Sequence, residues 1–268
     1  MTLGESGFEF DVNLSILFTE LPLLERPEAA AKAGFDAIEL WWPFDGPVPA
    51  DRELDQLRRA IGDAGVRLVG LNFDAGDMAA GDRGLLSDPG TSDRFRANVE
   101  VAVGLADSLG CRVLNALYGN RAPDLPAGEQ RETALGNLLL AAEAAAGIDA
   151  VVVVEALNAH ENPRYPITSS AGAFAVIDEV GVANVAFLAD LYHLHRMGED
   201  VLALIDESVS RFGHVQVADD PGRGEPGSGG MPYREIFERL ASVGYRGQVG
   251  LEYRPTGPSA ESFAWRNG

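Results

Sequence analysis

Three carboxylates and one amide stand at equivalent places in four short apolar runs. They are Glu155 in VVVVEALN, Asp190 in VAFLAD, Gln216 in HVQVA and Glu252 in QVGLEY. Each run has strand chemistry, and each polar residue falls late in it. Asn13, Asn72 and Asn115 close three further runs in the same way. One polar residue at a strand end shows only that the strand meets solvent. Seven among eight strands point to the polar floor of a pocket. Three carboxylates and an amide oxygen suit a hard divalent cation, Mg²⁺ or Mn²⁺. Zn²⁺ normally takes His or Cys, and the chain has four His and one Cys. The competing reading pairs Glu155 and Glu252 with Arg or Lys inside the protein, since a buried carboxylate needs some compensating partner.

The stretch 213–230, GHVQVADDPGRGEPGSGG, passes from strand alternation into a loop rich in Gly, Pro, Asp and Arg. Loops that follow strands are where scaffolds carry function. Arg223 lies in this one, with Gln216 in the strand before it, so the expected ligand set converges on one metal and one small anionic substrate. The formal net charge is −20. Such a surface repels nucleic acid and anionic membranes, which reward Lys/Arg patches, and an anion site would need local positive charge. Residues 222–227, GRGEPG, match a dinucleotide fingerprint in letters only. Pro and further Gly follow instead of a helix, so the phosphate-cradling helix N-terminus is missing.

These residues need a scaffold. Strand-like runs occur at FDVNLS, DAIELW, RLVGLNF, RVLNALY, AVVVVEAL, NVAFLAD, HVQVAD and QVGLEY. Amphipathic stretches lie between them at 21–33, 51–64, 92–109, 129–146, 169–180, 200–212 and 233–242, with apolar residues three and four apart as in Leu54, Leu57 and Ile61. Parallel strands need crossover connections, so this alternation predicts a parallel sheet. At 268 residues, close to the roughly 250 typical of the fold, the expectation is a single (β/α)₈ TIM barrel spanning 1–268. A doubly wound open sheet is the alternative. Active sites on such barrels form at the C-terminal strand ends, where the seven polar residues fall. Gly34, Gly65, Gly110, Gly147, Gly181 and Gly244 stand between a helix and the next strand, as left-handed helix ends favour.

No run approaches the ~20 apolar residues of a membrane span. The opening MTLGESGFEF lacks the basic and apolar regions of a secretory leader. The lone Cys111 excludes an internal disulfide and reads as a small core residue. Together these suggest a cytoplasmic protein. The oligomeric state is left open, a homo-oligomer included.

The chain resembles the hydroxypyruvate isomerase family, within the xylose isomerase-like barrel superfamily. The resemblance is carried over nearly its whole length by NLSILF, FDAIELWWPFD, NFDAGDMAAGDRG, VVVVEALN, ADLYHLHRM, GHVQVADDPGRGEPGSGG and GLEY. It implies Glu155, Asp190, Gln216 and Glu252 as metal ligands, with Glu155 and Glu252 facing each other across the substrate as acid and base. It implies His193 and Arg223 as substrate contacts, and Asn72 from the polar floor is grouped with them. Many superfamily members carry His where Gln216 stands, and an amide is the weaker ligand. The implied reaction interconverts hydroxypyruvate and tartronate semialdehyde through an enediolate. The fork of Arg223 is expected to read the substrate carboxylate.

Other readings attach to the same residues. A 2-oxo-tetronate isomerase or a ketose 3-epimerase would use the same constellation, and a small-molecule binder would keep it without turnover. A DNA-repair endonuclease would need more His ligands and a basic face. His195 is left unassigned, and Glu39 is noted only as able to orient a site residue. One ring of Trp41 and Trp42 is expected at the pocket wall. The loop DAGDMAAGDRGLL is either a lid or a plain surface loop.

Overall fold

The computed structural model describes residues 7–267, so residues 1–6 of the opening MTLGESGFEF lie outside it. Eight strands close into a barrel in chain order, every neighbouring pair parallel. They are β1 (Phe10–Asn13), β2 (Ala37–Leu40), β3 (Arg67–Asn72), β4 (Val113–Asn115), β5 (Val151–Glu155), β6 (Val185–Asp190), β7 (Phe212–Val217) and β8 (Val249–Leu251). Val152, Val153 and Val154 are fully buried, as a strand covered on both faces requires. This is the (β/α)₈ barrel expected from the alternation; the open sheet is excluded.

The outer layer is α1 (Arg26–Lys32), α2 (Asp51–Ala64), α3 (Ser92–Leu109), α4 (Ala127–Ala146), α5 (Ser170–Val180), α6 (Leu191–Arg196), α7 (Val201–Ser208) and α8 (Tyr233–Ser242). On α2 the buried residues are Leu54, Leu57 and Ile61, the stripe read from spacing. Among the described residues, no helix is long and apolar enough to cross a membrane.

Three local departures from the sequence reading have physical causes. The stretch 21–33 opens as a 3₁₀ turn, Leu23–Glu25, before α1 starts with Pro27 in its first turn, where proline's missing N–H costs nothing. Gly147 does not take the left-handed conformation. It stays helical at φ −62°, and Asp149 makes the turn at φ 55° two residues later. Finally, α6 follows β6 with no loop. The Asp190 carboxylate ends the strand and caps the helix, accepting from the backbone N–H of Tyr192 (2.9 Å) and His193 (3.2 Å). A six-residue helix carries little periodicity to read and depends on that cap.

Candidate active site

Strand alternation puts every second side chain inside the barrel. Register then brings the late polar residues level: Asn13 beside Glu39, Asn72 beside Asn115, and Asp190 beside Gln216. Glu252 stands just past β8 and is buried, as are Glu155, Asp190 and Gln216. A cavity of about 560 Å³ opens above this layer, with Glu155, Glu252, His193, Asn72, Trp41 and Arg223 in its lining.

Glu252 is the most heavily held. Its Oε1 accepts from Trp41 Nε1 (2.7 Å), Asn13 Nδ2 (2.9 Å) and Gln216 Nε2 (3.4 Å), and its Oε2 pairs with Arg223 Nη2. Arg223 Nε also donates to the Glu252 backbone carbonyl at 3.3 Å. The ion-pair reading therefore holds for Glu252. For Glu155 it does not: Oε2 accepts from Asn115 Nδ2 at 2.8 Å, and no Arg or Lys pairs with it among the described residues. Burial, then Glu252 and Asp190, push the Glu155 carboxyl well above the usual carboxylate range. Burial pushes Glu252 up to about 7 and Asp190 up to about 6, with Arg223 opposing in both.

His193 is buried with Nδ1 facing the backbone N–H of Asn158 at 3.2 Å, so Nδ1 accepts and Nε2 carries the hydrogen. Nε2 lies 3.6 Å from Asp190 Oδ2 and 4.0 Å from Glu155 Oε1. Burial, Arg223 and Arg83 hold its pKa well below the ordinary value, so the imidazole is neutral. Neither contact is an ion pair.

The donor set fits a divalent cation. Three buried carboxyls share one guanidinium, and Asp190 Oδ2 and Gln216 Oε1 are buried without a hydrogen-bond partner. Ligand-type atoms of Glu155, Asp190 and His193 lie within 4.8 Å of one another, and there the two carboxyls are the candidate ligands while His193 presents its Nε2 hydrogen. Gln216 presents oxygen because its nitrogen is engaged elsewhere: Nε2 donates to Glu39 Oε1 at 2.8 Å, and a carboxylate only accepts.

Glu39 is thus more than the neighbour of two tryptophans. It also accepts from Asn13 Nδ2 (3.0 Å) and lies 2.9 Å from His214 Nε2, which lies 3.9 Å from Asp11 Oδ2. Asp11, Glu39 and His214 form a second ionisable cluster inside the barrel, and two glycines make room for it. A Cβ on Gly250 would stand 3.0 Å from both Glu39 Oε2 and His214 Nε2, and one on Gly70 would stand 3.2 Å from Glu39. The sequence signal was the pair of inward glycines facing inward acids.

The remaining expectations resolve by position. Trp41 walls the cavity, whereas Trp42 turns its Nε1 to Gly46 O (2.8 Å) and packs edge-on against Phe44. His195 does not line the cavity and sits 3.8 Å from Asp220. Cys111 is buried, and burial pushes its thiol up to about 12, which suits a core residue. No helix follows 222–227 until α8 at Tyr233. The loop after β3 is a wall of the cavity: Met78, Ala79 and Arg83 line it. It is tied down by Gly84 N to Ala75 O (2.9 Å), Gly119 N to Arg83 O (3.0 Å) and Asn120 Nδ2 to Gly81 O (2.9 Å). Sequence reasoning missed Arg83, Arg254, Glu161 and Asn162 in the lining. Their only signal was their place in loops leaving the C-terminal strand ends.

A family profile described as xylose isomerase-like TIM barrel matches residues 27–267. A Streptomyces coelicolor protein provisionally named a hydroxypyruvate isomerase is 57% identical, over 98% of this chain and 97% of that one. Hydroxypyruvate isomerase of Escherichia coli is 32% identical over 96% and 97%, and 2-oxo-tetronate isomerase of Haemophilus influenzae 31% over the same shares. A crystal structure of a family 2 AP endonuclease from Brucella melitensis superposes with a TM-score of 0.89 at 38% identity, covering 96% and 97%.

Proposed function

The chain belongs to the xylose isomerase-like TIM barrel family, among its hydroxypyruvate isomerase members, and from that premise we propose that it interconverts hydroxypyruvate and tartronate semialdehyde. The observation that carries this reading is the pair Glu155 and Glu252, both buried and both lining one cavity, beside the unpartnered oxygens of Asp190 and Gln216. Moving a carbonyl to the neighbouring carbon takes a proton from C3 and returns one at C2, while the hydroxyl proton passes between the two oxygens. Glu252, drawn toward the anion by Arg223, takes the C3 proton, and Glu155, the other carboxyl of the pair, delivers a proton to C2. The two carboxyls then exchange roles or re-equilibrate with water before the next turnover.

Glu155, Asp190, Gln216 and Glu252 are the residues that would hold Mg²⁺ or Mn²⁺. Such an ion supplies electrophilic stabilisation of the enediolate oxygens. His193 offers a neutral N–H donor at the same place, and Asn72, whose amide makes no side-chain hydrogen bond among the described residues, faces the substrate. A DNA substrate like that implied by the Brucella protein's name is disfavoured by the net charge of −20. A four-carbon 2-oxo acid is the second reading, supported by similarity to a 2-oxo-tetronate isomerase.

The test is turnover of hydroxypyruvate, four-carbon 2-oxo acids and free ketoses by purified protein. Hydroxypyruvate should be fastest, chelation should abolish activity, and Mg²⁺ or Mn²⁺ should restore it better than Zn²⁺. In D₂O, solvent deuterium should enter the product carbon, in part at least, because a closed site slows exchange. Transfer of a substrate deuterium intact to the neighbouring carbon would replace the two-glutamate route with a hydride shift. Turnover of ketoses alone would overturn the substrate.

A further inference from the structure

Resting on the reading of a small 2-oxo or 2-hydroxy acid as substrate, we propose that Arg83, from the loop after β3, holds the substrate's carboxylate. Three arginines, Arg83, Arg223 and Arg254, line this cavity in a chain whose net charge is −20. They are not equivalent. Arg223 is charge-compensated within the protein: its Nε and Nη2 both go to Glu252, and Nη2 also lies 3.7 Å from Asp190 Oδ2, which leaves Nη1 alone without a partner among the described residues. Turning that fork to a ligand would strip the buried Glu252 of its counter-charge. Arg254 is exposed at the rim, and its side chain makes no hydrogen bond among the described residues, so it has nothing to orient it.

Arg83 is both oriented and available. Its Nη1 donates to the backbone carbonyls of Met78 (3.0 Å) and Asp82 (2.6 Å), and its Nε to Asn162 Oδ1 (2.6 Å). Asn162 is itself held, through N and Nδ2, on Asn158 O. The guanidinium plane is therefore set on two sides, and Nη2 alone has no partner among the described residues. The nearby carboxylate does not claim it: Glu161 accepts from Tyr192 Oη (3.0 Å) and Asn158 Nδ2 (2.9 Å). Burial, then the neighbouring Arg223 guanidinium, push Arg83 downward. Two guanidiniums facing one cavity repel each other, and an anion on Arg83 relieves that repulsion. Arg83 would then grip the unreacting end of the substrate and leave its C2 and C3 oxygens to the carboxylate layer.

The probes are D-glycerate, an inert acid of the substrate's length, and its uncharged amide, D-glyceramide, titrated by NMR or calorimetry. The wild type should prefer glycerate to the amide. In Arg83→Ala, glycerate affinity should fall roughly 10- to 100-fold, with the amide changed less than about threefold. Arg83→Lys, which keeps the charge and loses the bonds that orient it, should fall between. For hydroxypyruvate the same variants should lose mainly in KM. Arg223→Lys should lose mainly in kcat and keep the preference for glycerate. A glycerate preference that survives in Arg83→Ala overturns the proposal. So does equal loss of acid and amide, the mark of a collapsed loop, or a wild type that does not distinguish the two. Arg83-dependent glycerate binding without hydroxypyruvate turnover would sustain the anion site while removing the proposed reaction.

Discussion

The barrel interior holds two clusters of ionisable groups, both buried, of which one contributes to the cavity lining and the other does not. Of the Glu155, Asp190, Gln216 and Glu252 layer, Glu155 and Glu252 line the cavity. The Asp11, Glu39 and His214 cluster is buried, and none of its members lines that cavity. The deeper cluster sets one imidazole against two carboxyls. Burial opposes the His214 cation, but Glu39 at 2.9 Å and Asp11 outweigh it and push the imidazole up to about 9. Burial, then Glu39, hold Asp11 well above its usual range. The outer layer has three carboxyls to one guanidinium, and acceptor oxygens lack a hydrogen-bond partner in both clusters: Asp190 Oδ2 and Gln216 Oε1 in the outer, both Asp11 carboxylate oxygens in the deeper. Buried charge by itself does not mark a site. Buried charge that is short of partners and open to a cavity does. Gln216 joins the two, giving its nitrogen to Glu39 and keeping its oxygen for the layer above.

The contrast breaks first at the glutamates. Glu155→Gln and Glu252→Gln should each lower kcat by about two to four orders of magnitude; Glu155→Gln should leave the unfolding midpoint near the wild-type value, whereas Glu252→Gln, which strips Arg223 of its counter-charge, should lower it. Near-normal turnover in either variant would end the assignment of the outer layer. One step weaker, Glu39→Gln frees the Gln216 amide to turn. Mn²⁺ affinity, read by EPR titration, should fall about 10- to 100-fold, and kcat at saturating Mn²⁺ should change less than the affinity does. Unchanged affinity would show that the deeper cluster does not orient the ligand.

Packing supplies the next test. Gly250→Ala should cost about 1–3 kcal/mol of stability in urea unfolding, because its Cβ would press on both Glu39 and His214. A neutral result would mean the ion pair relaxes freely. The smallest effect is on pH dependence. His214 titrates near 6.5 when unfolded and near 9 when folded, so the native state binds the extra proton between those values. Its contribution to stability is full below about 6.5 and is lost as pH rises through 9. The raised Asp11 acts with the same sign from lower pH. Metal-free protein should therefore lose stability from pH 6.5 to 9. Asp11→Asn, which has no proton to lose, should flatten the slope at a cost under about 1 kcal/mol. A slope that steepens in the variant would reverse the direction of the Asp11 shift.

By itself the sequence determined the barrel, most helix limits and the level of the outer layer. Those follow from local chemistry: strands of β-branched residues, stripes at helical spacing, and polar residues at strand ends, as at Glu155 and Asp190. It could also place Cys111 in the core. It could not say which acid meets which base. Glu39 and His214 are 175 residues apart, and Arg83 and Asn162 are 79 apart. Only closure of the sheet, β1 against β8, brings Asn13 to Glu252 and turns the Arg223 fork onto that carboxylate. Tertiary structure decided which arginine is paired with a carboxylate and which is held only by neutral acceptors, because a guanidinium's charge is open to a ligand only where no carboxylate already meets it. No spacing along the chain records that pairing.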